Sequence, residues 1–592
     1  MSDSMLITSA TKNEEHPALA AIAKVLSKVA QHEWEIVQPW AEALLIALIR
    51  GDSYIIIPRD RLSELRECRV LVGNTGMYSP FILNQQQLFF GRMWQLEQDV
   101  ATDIYKLSTA AAKFFNESVA EDLKNWFPDQ NGNEQRFAAA LALVQHFVVI
   151  NGGPGTGKTT TVAKILALLL KHVWQAPYPP QIALIAPTGK AATHMANALQ
   201  CALTNLELSP EIFQVLSQLS GQTVHRLLQL RPPLLSGPFN ADNPLPVDIL
   251  IVDESSMLDL SLFRVLLESL KPEVRLILLG DANQLPAVGA GNVLAELSVP
   301  TALTPAITKQ LNYLLPNFSM PPSHEEAGIA AHIATLTHSY RFDPTKGIGA
   351  LATACINGDD SLALTAIESF PQLHLQQYSF LDLCEKIYQL QLAWWQAVTT
   401  NNIQAVFSHL TDIIVLSVRR ADAKEFNRLY CRYLGHQLQL DTESWFMGMP
   451  ILITQNDYNI GLYNGDIGVI LPDADNHQFL LAYFADGQSY RKVALSRLPQ
   501  HEPAFAITVH KSQGSEYEQV WLLAPQSEAS VDDPLFNRAL MYTALTRARN
   551  QFTFCGTARQ LTQAIKNNER RRSGLRSALK KLFQQQSQLS LF

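Results

Sequence analysis

The chain contains 592 residues, of which 47% are hydrophobic, and carries a formal net charge of −8 at pH 7. This length predicts about three or four domains, and the acidic balance means that any nucleic-acid site must be a local channel. The six cysteines are scattered without metal-ligand or disulfide spacing. The polar N-terminus and the short apolar runs argue against a signal peptide and a membrane span, so we expect a cytoplasmic protein without a membrane partner.

The pattern along the chain predicts an N-terminal region and two α/β domains. Residues 1–120 carry helical periodicity with one strand-like run at 53–57, which predicts a mainly helical domain. After the turn-rich stretch 125–133, apolar strands alternate with helical patterns, which predicts a doubly wound parallel sheet in a domain over residues 121–325. A proline-rich segment at about 231–246 interrupts this domain and indicates an inserted loop or a short hairpin.

A second α/β domain is predicted over residues 326–592. Apolar strands are expected at 413–418 and 520–523, where the alternating pattern resumes. Between them, residues of about 445–500 contain short strand-like runs separated by Asn-Gly and Asp-Gly turns. Such turns are typical of hairpins, so this segment predicts a small β-barrel insert.

The stretch 147–160 (FVVINGGPGTGKTT) has the pattern of a strand, a glycine loop and the start of a helix. Its glycines and Lys158-Thr159 have P-loop spacing, in which backbone N–H groups surround phosphates, the lysine reaches the β/γ-phosphates and the threonine binds Mg²⁺. An ordinary glycine turn lacks the flanking strand and amphipathic helix. The predicted nucleotide-binding residues are Gly152, Gly153, Pro154, Gly155, Thr156, Gly157, Lys158, Thr159 and Thr160.

Polar residues follow two further apolar strands. Asp253 and Glu254 end the run 250–252, and Gln284 follows the run 276–279. An acidic pair after a strand is often only a surface turn, but downstream of a P-loop it indicates a Walker B element. We assign Asp253 to Mg²⁺ and Glu254 to the base that polarises the attacking water. Because the carboxyl ends of parallel strands share one sheet edge, Gln284 is predicted to sense the γ-phosphate.

This ordered series resembles the superfamily 1 DNA helicases, and within them the RecD branch, over about residues 130 to 575. The matching segments are Gln135, 147–160, 186–190 (APTGK), 223–226 (TVHR), 253–257 (DESSM), 280–286 (GDANQLP), Tyr340-Arg341, 464–466 (NGD), 508–516 (TVHKSQGSE), 542–549 (YTALTRAR) and 570–575 (RRRSGL). Several of these segments are individually weak. Their order and spacing together make the resemblance specific.

The resemblance implies two RecA-like motor domains, with the β-barrel insert similar to an SH3 domain and the segment 231–246 acting as a strand-separating pin. It implies that Gln135, Gly514 and Glu516 bind the nucleotide. Arg341 and Arg547 are the implied arginines that neutralise charge in the transition state. The implied DNA-binding residues are Pro187, Thr188, Lys190, His225, Asn464, Thr508, His510 and Lys511.

The implied function is that of an ATP-dependent and Mg²⁺-dependent 5′→3′ DNA helicase. By resemblance it works as the motor subunit of the heterotrimeric RecBCD exodeoxyribonuclease V, which processes double-stranded DNA ends. Its partners would be a RecB-like nuclease-helicase and a RecC-like scaffold, and the N-terminal domain would dock on them. Two alternatives remain open at this stage: a stand-alone RecD-like helicase, whose relatives carry a longer N-terminal region, and a nucleotide-switched interaction subunit without processive motor activity.

Overall fold

The fold was analysed in a computed structural model. It describes residues 17–109, 117–128, 133–174, 178–231, 235–316, 318–442, 444–457, 459–473, 476, 479–487, 489–525, 534–568 and 570–589. In these residues the strands form four sheets. No helix in the described ranges is both long and apolar enough to cross a membrane.

The N-terminal region, residues 17–90, combines helices with a small sheet. The elements up to residue 126 are α1 (Pro17–Val29), α2 (Gln31–Ile49), β1 (Tyr54–Ile56), α3 (Leu62–Glu67), β2 (Val72–Gly73), β3 (Phe81–Asn84), β4 (Gln87–Phe90), α4 (Gly91–Ser108) and α5 (Glu117–Trp126). The sheet has the order β1-β4-β3-β2 and packs with α1 and α2 around a core of its own. The prediction of a mainly helical region with one strand was therefore incomplete. Short apolar runs such as 81–83 do not reveal their strand character by period alone.

The first lobe, residues 133–336, is built on a parallel sheet of order β10-β5-β9-β8-β6-β7. Its elements are α6 (Asn133–Val144), β5 (Phe147–Gly152), α7 (Lys158–Leu168), β6 (Ile182–Ala186), α8 (Gly189–Leu203), α9 (Pro210–Ser217), β7 (Gly221–Thr223), α10 (Val224–Leu227), β8 (Ile249–Val252), α11 (Leu260–Glu268), β9 (Arg275–Gly280), α12 (Val293–Leu297), α13 (Pro305–Leu314) and β10 (Ile333–Leu336). Helices cover both faces of the sheet, because its strands are apolar on both sides. This confirms the predicted doubly wound arrangement.

The second lobe, residues 347–566, contains a parallel sheet of order β11-β20-β19-β12-β18. The elements from residue 347 onward are α14 (Gly347–Asn357), α15 (Asp360–Ser369), β11 (Leu373–Gln376), α16 (Phe380–Leu390), α17 (Leu392–Thr399), α18 (Ile403–His409), β12 (Ile413–Ser417), α19 (Arg420–Leu438), β13 (Pro450–Ile453), β14 (Ile467–Pro472), β15 (Leu480–Asp486), β16 (Ser489–Ala494), β17 (His501–Pro503), β18 (Ala506–Thr508), β19 (Tyr517–Leu523), α20 (Arg538–Leu545), β20 (Ala548–Cys555), α21 (Ala558–Lys566) and α22 (Leu575–Leu589). Two buried clusters cover the opposite faces of this sheet.

An antiparallel sheet is inserted into the second lobe between α19 and β18. Its order is β16-β15-β14-β13-β17, and it has a small apolar core that includes Ile451, Ile470 and Phe484. The predicted insert of short strands at about 445–500 is therefore an antiparallel sheet whose last strand ends at residue 503. Its likeness to an SH3 barrel stays a prediction, as does the role of the segment.

The predicted domain boundaries divide structures that pack together. Strand β10 lies beyond the boundary at 325/326, yet it pairs in parallel with β5 of the first lobe. Helix α4 lies before the boundary at 120/121, yet Val100 and Ile104 are buried in the core of the first lobe. Helix α22 shares that core through Leu575 and Leu579. Local sequence patterns show where an element begins and ends, but they do not show which sheet it covers.

The proline-rich segment at 231–246 is held against the first lobe. Residues 232–234 lie outside the described residues, and 235–246 contain an isolated antiparallel bridge between Asn240 and Asn243. The Ser269 hydroxyl donates to the Phe239 carbonyl at 3.2 Å, and the Leu245 N–H donates to the Ser269 carbonyl at 2.8 Å. The segment is thus a short turn anchored to the end of α11. Its assignment as a strand-separating pin remains a prediction.

Candidate functional site

The glycine loop between β5 and α7 has the backbone that phosphate binding requires. Gly155 and Gly157 adopt φ values of +77° and +78°, a conformation that only glycine accepts readily. A Cβ at Gly157 would lie 2.4 Å from the Gln135 side-chain nitrogen, and a Cβ at Gly155 would lie 2.4 Å from the Arg341 Cβ. Close approach from both sides therefore adds a second reason for glycine at these positions.

Gln135 and Lys158 both contact the loop itself. The Gln135 Nε2 donates to the Thr156 carbonyl at 2.9 Å, which fixes beside the loop a side chain that is predicted to bind the nucleotide. The Lys158 Nζ donates to the carbonyl oxygens of Gly152 and Gly153 at 2.5 and 3.1 Å. These carbonyls hold the ammonium at the mouth of the loop, where a bound phosphate would exchange with them.

Asp253 and Glu254 follow β8 and lie partly buried beside Lys158. Burial raises the pKa of Asp253, and the Lys158 charge opposes this shift. Burial and the neighbouring Asp253 raise the pKa of Glu254, against the charges of Arg547 and Lys158. Glu254, the second residue after β8, has φ +48°. Its backbone is therefore in the left-handed region, and this conformation sets the direction of its side chain. A partly buried carboxylate pair of this kind favours a divalent cation, which would reverse the upward pKa shifts.

Gln284 connects the first lobe to the second. Its Nε2 donates to Asp281 Oδ2 at 3.2 Å, and its Oε1 accepts from Arg547 NH2 at 3.3 Å. The Tyr542 hydroxyl donates to the same Asp281 oxygen at 2.9 Å. Gln284, the predicted γ-phosphate sensor, and Arg547, a predicted transition-state arginine, thus belong to one buried network that crosses between the lobes.

Asp281 and Tyr542 are members of this network that the sequence reasoning did not select as site residues. Asp281 directly follows β9, and an acidic residue at the carboxyl end of a parallel strand was the available signal. Tyr542 lies in α20 within the segment that also supplies Arg547. Burial raises the pKa of Tyr542 well above its ordinary value, and Asp281 adds to this shift, so the phenol remains a hydrogen-bond donor at neutral pH.

Arg341 contacts the edge of the site through Glu516. The Arg341 NH1 lies 2.6 Å from Glu516 Oε1, and Arg549 Nε lies 3.2 Å from Glu516 Oε2. Burial alone would raise the pKa of Glu516, but the two guanidinium groups outweigh it and lower the pKa. Arg341 is therefore neutralised by a carboxylate, whereas Arg547 is held by carbonyl and amide oxygens. Arg547 is the better placed of the two for new negative charge.

The predicted DNA-binding residues of the two lobes meet at the start of α8. Thr188 caps this helix by accepting the Ala191 N–H at 3.2 Å. The Lys190 Nζ donates to the Ser515 hydroxyl of the second lobe at 2.6 Å. A Cβ at Gly189 would lie 3.2 Å from the Tyr463 Cβ, beside the exposed Asn464 turn. Motif segments far apart in sequence therefore converge where a strand could cross both lobes.

The remaining DNA-binding candidates differ in their surroundings. Burial lowers the pKa of His225 and of His510, so both imidazoles are held neutral within the fold. Lys511 forms an ion pair with Glu502, which offsets its charge. Thr508 lines a groove of about 770 Å³ whose wall includes Arg420, Lys424, Arg428 and Arg432 of α19. Pro187 lies in the turn between β6 and α8, and a Cβ at Gly514, which has φ +73°, would lie 3.4 Å from the Ala191 Cβ.

Comparisons with known proteins agree with this geometry. A model of an AAA domain matches residues 135–290, and a model of the UvrD-like helicase C-terminal domain matches residues 503–554. The chain is 32% identical over 550 residues to the RecBCD enzyme subunit RecD of Haemophilus influenzae, a match that covers 85% of this chain and 82% of that protein. It is 35% identical over 504 residues to the subunit of the same name from Mycolicibacterium smegmatis, covering 83% and 82%.

Among solved structures, Bacteroides Pif1 bound to single-stranded DNA is similar at 18% identity and a TM-score of 0.37, covering 73% of this chain and 93% of that one. This value is too low to support any detail of the site. The sequence matches, by contrast, extend across both lobes and over most of each relative. Together with the order of its motifs, they establish that the chain belongs to the RecD family of RecBCD enzyme subunits.

Proposed function

We propose that this chain is an ATP-dependent DNA helicase that moves 5′→3′ along single-stranded DNA as the motor subunit of a RecBCD-type complex. The observation that carries the proposal is the contact between Gln284 of the first lobe and Arg547 of the second, next to the P-loop and the Asp253-Glu254 pair. A site completed by two lobes can couple hydrolysis to their relative movement. Membership of the RecD family supports the same function.

The residues present fit a nucleoside triphosphate with Mg²⁺. Thr159 at the start of α7 and the partly buried Asp253 supply the hydroxyl and carboxylate oxygens that Mg²⁺ prefers. When bound, the metal would neutralise charge on the transferred phosphoryl group. Glu254 would orient and accept a proton from the attacking water, Lys158 would hold the β/γ-phosphates, and Gln135 would contact adenine beside Thr156.

Arg547 and Gln284 would then report the state of the γ-phosphate to the second lobe. Arg547 NH1 also donates to the Ser515 carbonyl at 3.2 Å, and the Ser515 hydroxyl accepts from Lys190. A strand that lies across Pro187, Thr188, Asn464, Thr508, His510 and Lys511 would stabilise the closed lobes and so favour turnover. Backbone contacts of this kind give strong salt dependence and little sequence preference.

The assembly is part of the proposal. We propose that RecB-like nuclease-helicase and RecC-like scaffold subunits are the partners, and that the N-terminal region 17–90 docks on them. Support comes from the names of the relatives, which are RecBCD enzyme subunits, and from the separate core of this region. The division into domains at 1–120, 121–325 and 326–592 is amended in the proposal, so that α4, α5, α22 and β10 belong to the first motor lobe.

DNA-stimulated ATP hydrolysis tests the motor assignment. We expect Mg²⁺-dependent turnover by the wild-type chain that rises on addition of an oligonucleotide. Lys158→Gln should abolish this turnover while thermal unfolding stays unchanged, because the ammonium lies at the mouth of the loop and not in an apolar core. Equal turnover with and without oligonucleotide would contradict the helicase proposal.

A further inference from the structure

The C-terminal segment 570–574 forms a junction between three parts of the molecule. The Arg572 N–H donates to Asp52 Oδ1 at 2.7 Å, and the Ser53 N–H donates to the Arg572 carbonyl at 2.8 Å. The segment therefore lies against the N-terminal region, beside the turn that connects α2 to β1. It carries a run of three arginines, whose neighbourhoods differ sharply.

Glu97 of α4 anchors the end of this segment. Its buried carboxylate accepts from the Ser573 hydroxyl at 2.8 Å, from the Gly574 N–H at 2.9 Å and from the Ser53 hydroxyl at 2.7 Å. Burial raises the pKa of Glu97, and these hydrogen bonds oppose the shift. A buried carboxylate that accepts from donors of two chain segments fixes the position of residues 573 and 574.

Arg571 points from this anchor into the first lobe. Its NH1 donates to the carbonyl oxygens of Ala287, Gly289 and Gly291 at 2.5, 2.8 and 3.3 Å. These residues belong to the loop 284–291, which begins at the γ-phosphate sensor Gln284. A Cβ at Gly51 would lie 2.4 Å from the Arg571 guanidinium carbon, so the N-terminal region closes over the same side chain. The Gly291 N–H also donates to the Gly51 carbonyl at 2.9 Å.

The other end of the loop 284–291 is held by the second lobe. The Leu285 N–H donates to the Thr543 hydroxyl at 2.9 Å, and the Leu285 carbonyl accepts from Gln513 at 3.1 Å. The Leu285 side chain is buried within the core of the second lobe. The loop is thus suspended between the second lobe at Leu285 and the Arg571 guanidinium at residues 287–291.

Charged groups in contact with this loop act on two of the predicted DNA-binding residues. A Cβ at Gly289 would lie 2.6 Å from Asp259 Oδ2, and the Asp259 charge acts on His225. The charge of Arg571 acts on His510. Within the loop the Val288 side chain is 81% exposed, so the loop reaches the surface inside the stretch that Arg571 holds.

We propose that Arg571 is a positioning residue that fixes the loop 284–291, so that closure of the second lobe onto DNA is transmitted to Gln284 at the nucleotide site. Residues 287–291 must be held in place for this transmission. If they moved together with Leu285, the whole loop would shift and Gln284 would not be reoriented. The N-terminal region shares this attachment through Gly51 and Asp52. It therefore has a direct mechanical route to the nucleotide site. This inference rests on the proposed helicase function.

Arg571→Ala tests the inference, with Arg570→Ala as its matched control, because Arg570 is the adjacent and exposed arginine. We expect Arg571→Ala to bind a fluorescent ATP analogue within about twofold of wild type and to keep its thermal midpoint. Stimulation of turnover by oligonucleotide should fall by about tenfold, while turnover without DNA changes little. Arg570→Ala should keep full stimulation.

Two further variants separate positioning from simple structural damage. Arg571→Lys keeps a cation that can donate to the same carbonyls, so it should recover most of the stimulation. Gly51→Ala leaves Arg571 intact but displaces its guanidinium and strains a backbone with φ +98°, so it should lower both stimulation and the thermal midpoint. Stimulation at the wild-type level in Arg571→Ala would overturn the inference, as would an equal loss of turnover with and without DNA. A wild-type chain without DNA stimulation would instead contradict the proposed function.

Discussion

The Arg547 guanidinium is buried, and among the residues that the structure describes no carboxylate forms an ion pair with it. Its partners are the carbonyls of Thr543 and Ser515 and the amide oxygen of Gln284. Neutral acceptors orient the group but leave its charge available for the transition state. Arg341, by contrast, lies in an ion pair with Glu516. At the scale of single residues, the two arginines therefore differ in whether a carboxylate neutralises the guanidinium.

Removal of the Arg547 guanidinium should affect chemistry far more than binding. We expect Arg547→Ala to bind ATP with nearly unchanged affinity and to hydrolyse it about a thousandfold more slowly, in line with arginine-finger effects. Single-turnover hydrolysis after rapid mixing measures this step directly. Arg549→Ala, which removes a partly exposed arginine paired with Glu516 and Glu518, should cause a much smaller loss. The reverse ranking would assign the finger role to another arginine.

Lys190 gives the molecule a pH dependence of known sign. Burial between the lobes lowers its pKa from 10.5 to about 8, although Asp466 opposes the shift. Between these two pH values the unfolded chain binds more protons than the folded one, so the free energy of unfolding rises with pH. Lys190→Met should remove a rise on the order of 1 to 3 kcal/mol. Lys309→Met, at an exposed lysine of α13, should leave it intact. Parallel stability profiles of all three proteins would show that Lys190 is solvated in the folded state.

Helix α4 shows how an element predicted to belong to one domain contributes to another. Its apolar face, including Val100, Ala101 and Ile104, is buried against strands of the first lobe and against α22. Its buried Glu97 holds the C-terminal segment. Truncation of the chain at residue 110 would therefore expose the core of the motor, and it cannot serve as a clean removal of a docking domain.

A cavity at Ile104 should destabilise the motor lobe. We expect Ile104→Ala to lower the free energy of unfolding by about 2 to 5 kcal/mol, because the side chain is fully buried and its removal leaves a cavity. Lys106→Ala, two residues away with a side chain that is 68% exposed, should change stability by less than about 0.5 kcal/mol. Urea unfolding followed by nucleotide-site fluorescence gives both values. A negligible effect of Ile104→Ala would mean that α4 is not part of this core.

At the scale of the whole molecule, the direction of movement along DNA is the property that tests the proposed RecD-type function. The converging segments at Thr188, Lys190, Asn464 and Ser515 are where we propose that a strand crosses the lobes, but a crossing point has no direction. We expect unwinding of duplexes that carry a 5′ single-stranded overhang and none of matched duplexes with a 3′ overhang. Unwinding confined to the 3′ overhang would contradict the 5′→3′ proposal and leave the helicase proposal standing.

The sequence by itself determined the local chemistry of this protein. Glycine spacing, apolar runs that end in Asp253-Glu254 or Gln284, and the ordered motifs identified the nucleotide site, the doubly wound lobes and the family, because these features depend on neighbours along the chain. The tertiary structure alone decided that Arg547 contacts Gln284, that α4 and α22 complete the first lobe, and that Arg571 holds the loop 284–291. These contacts join residues hundreds of positions apart, and no local period or spacing encodes such a pairing.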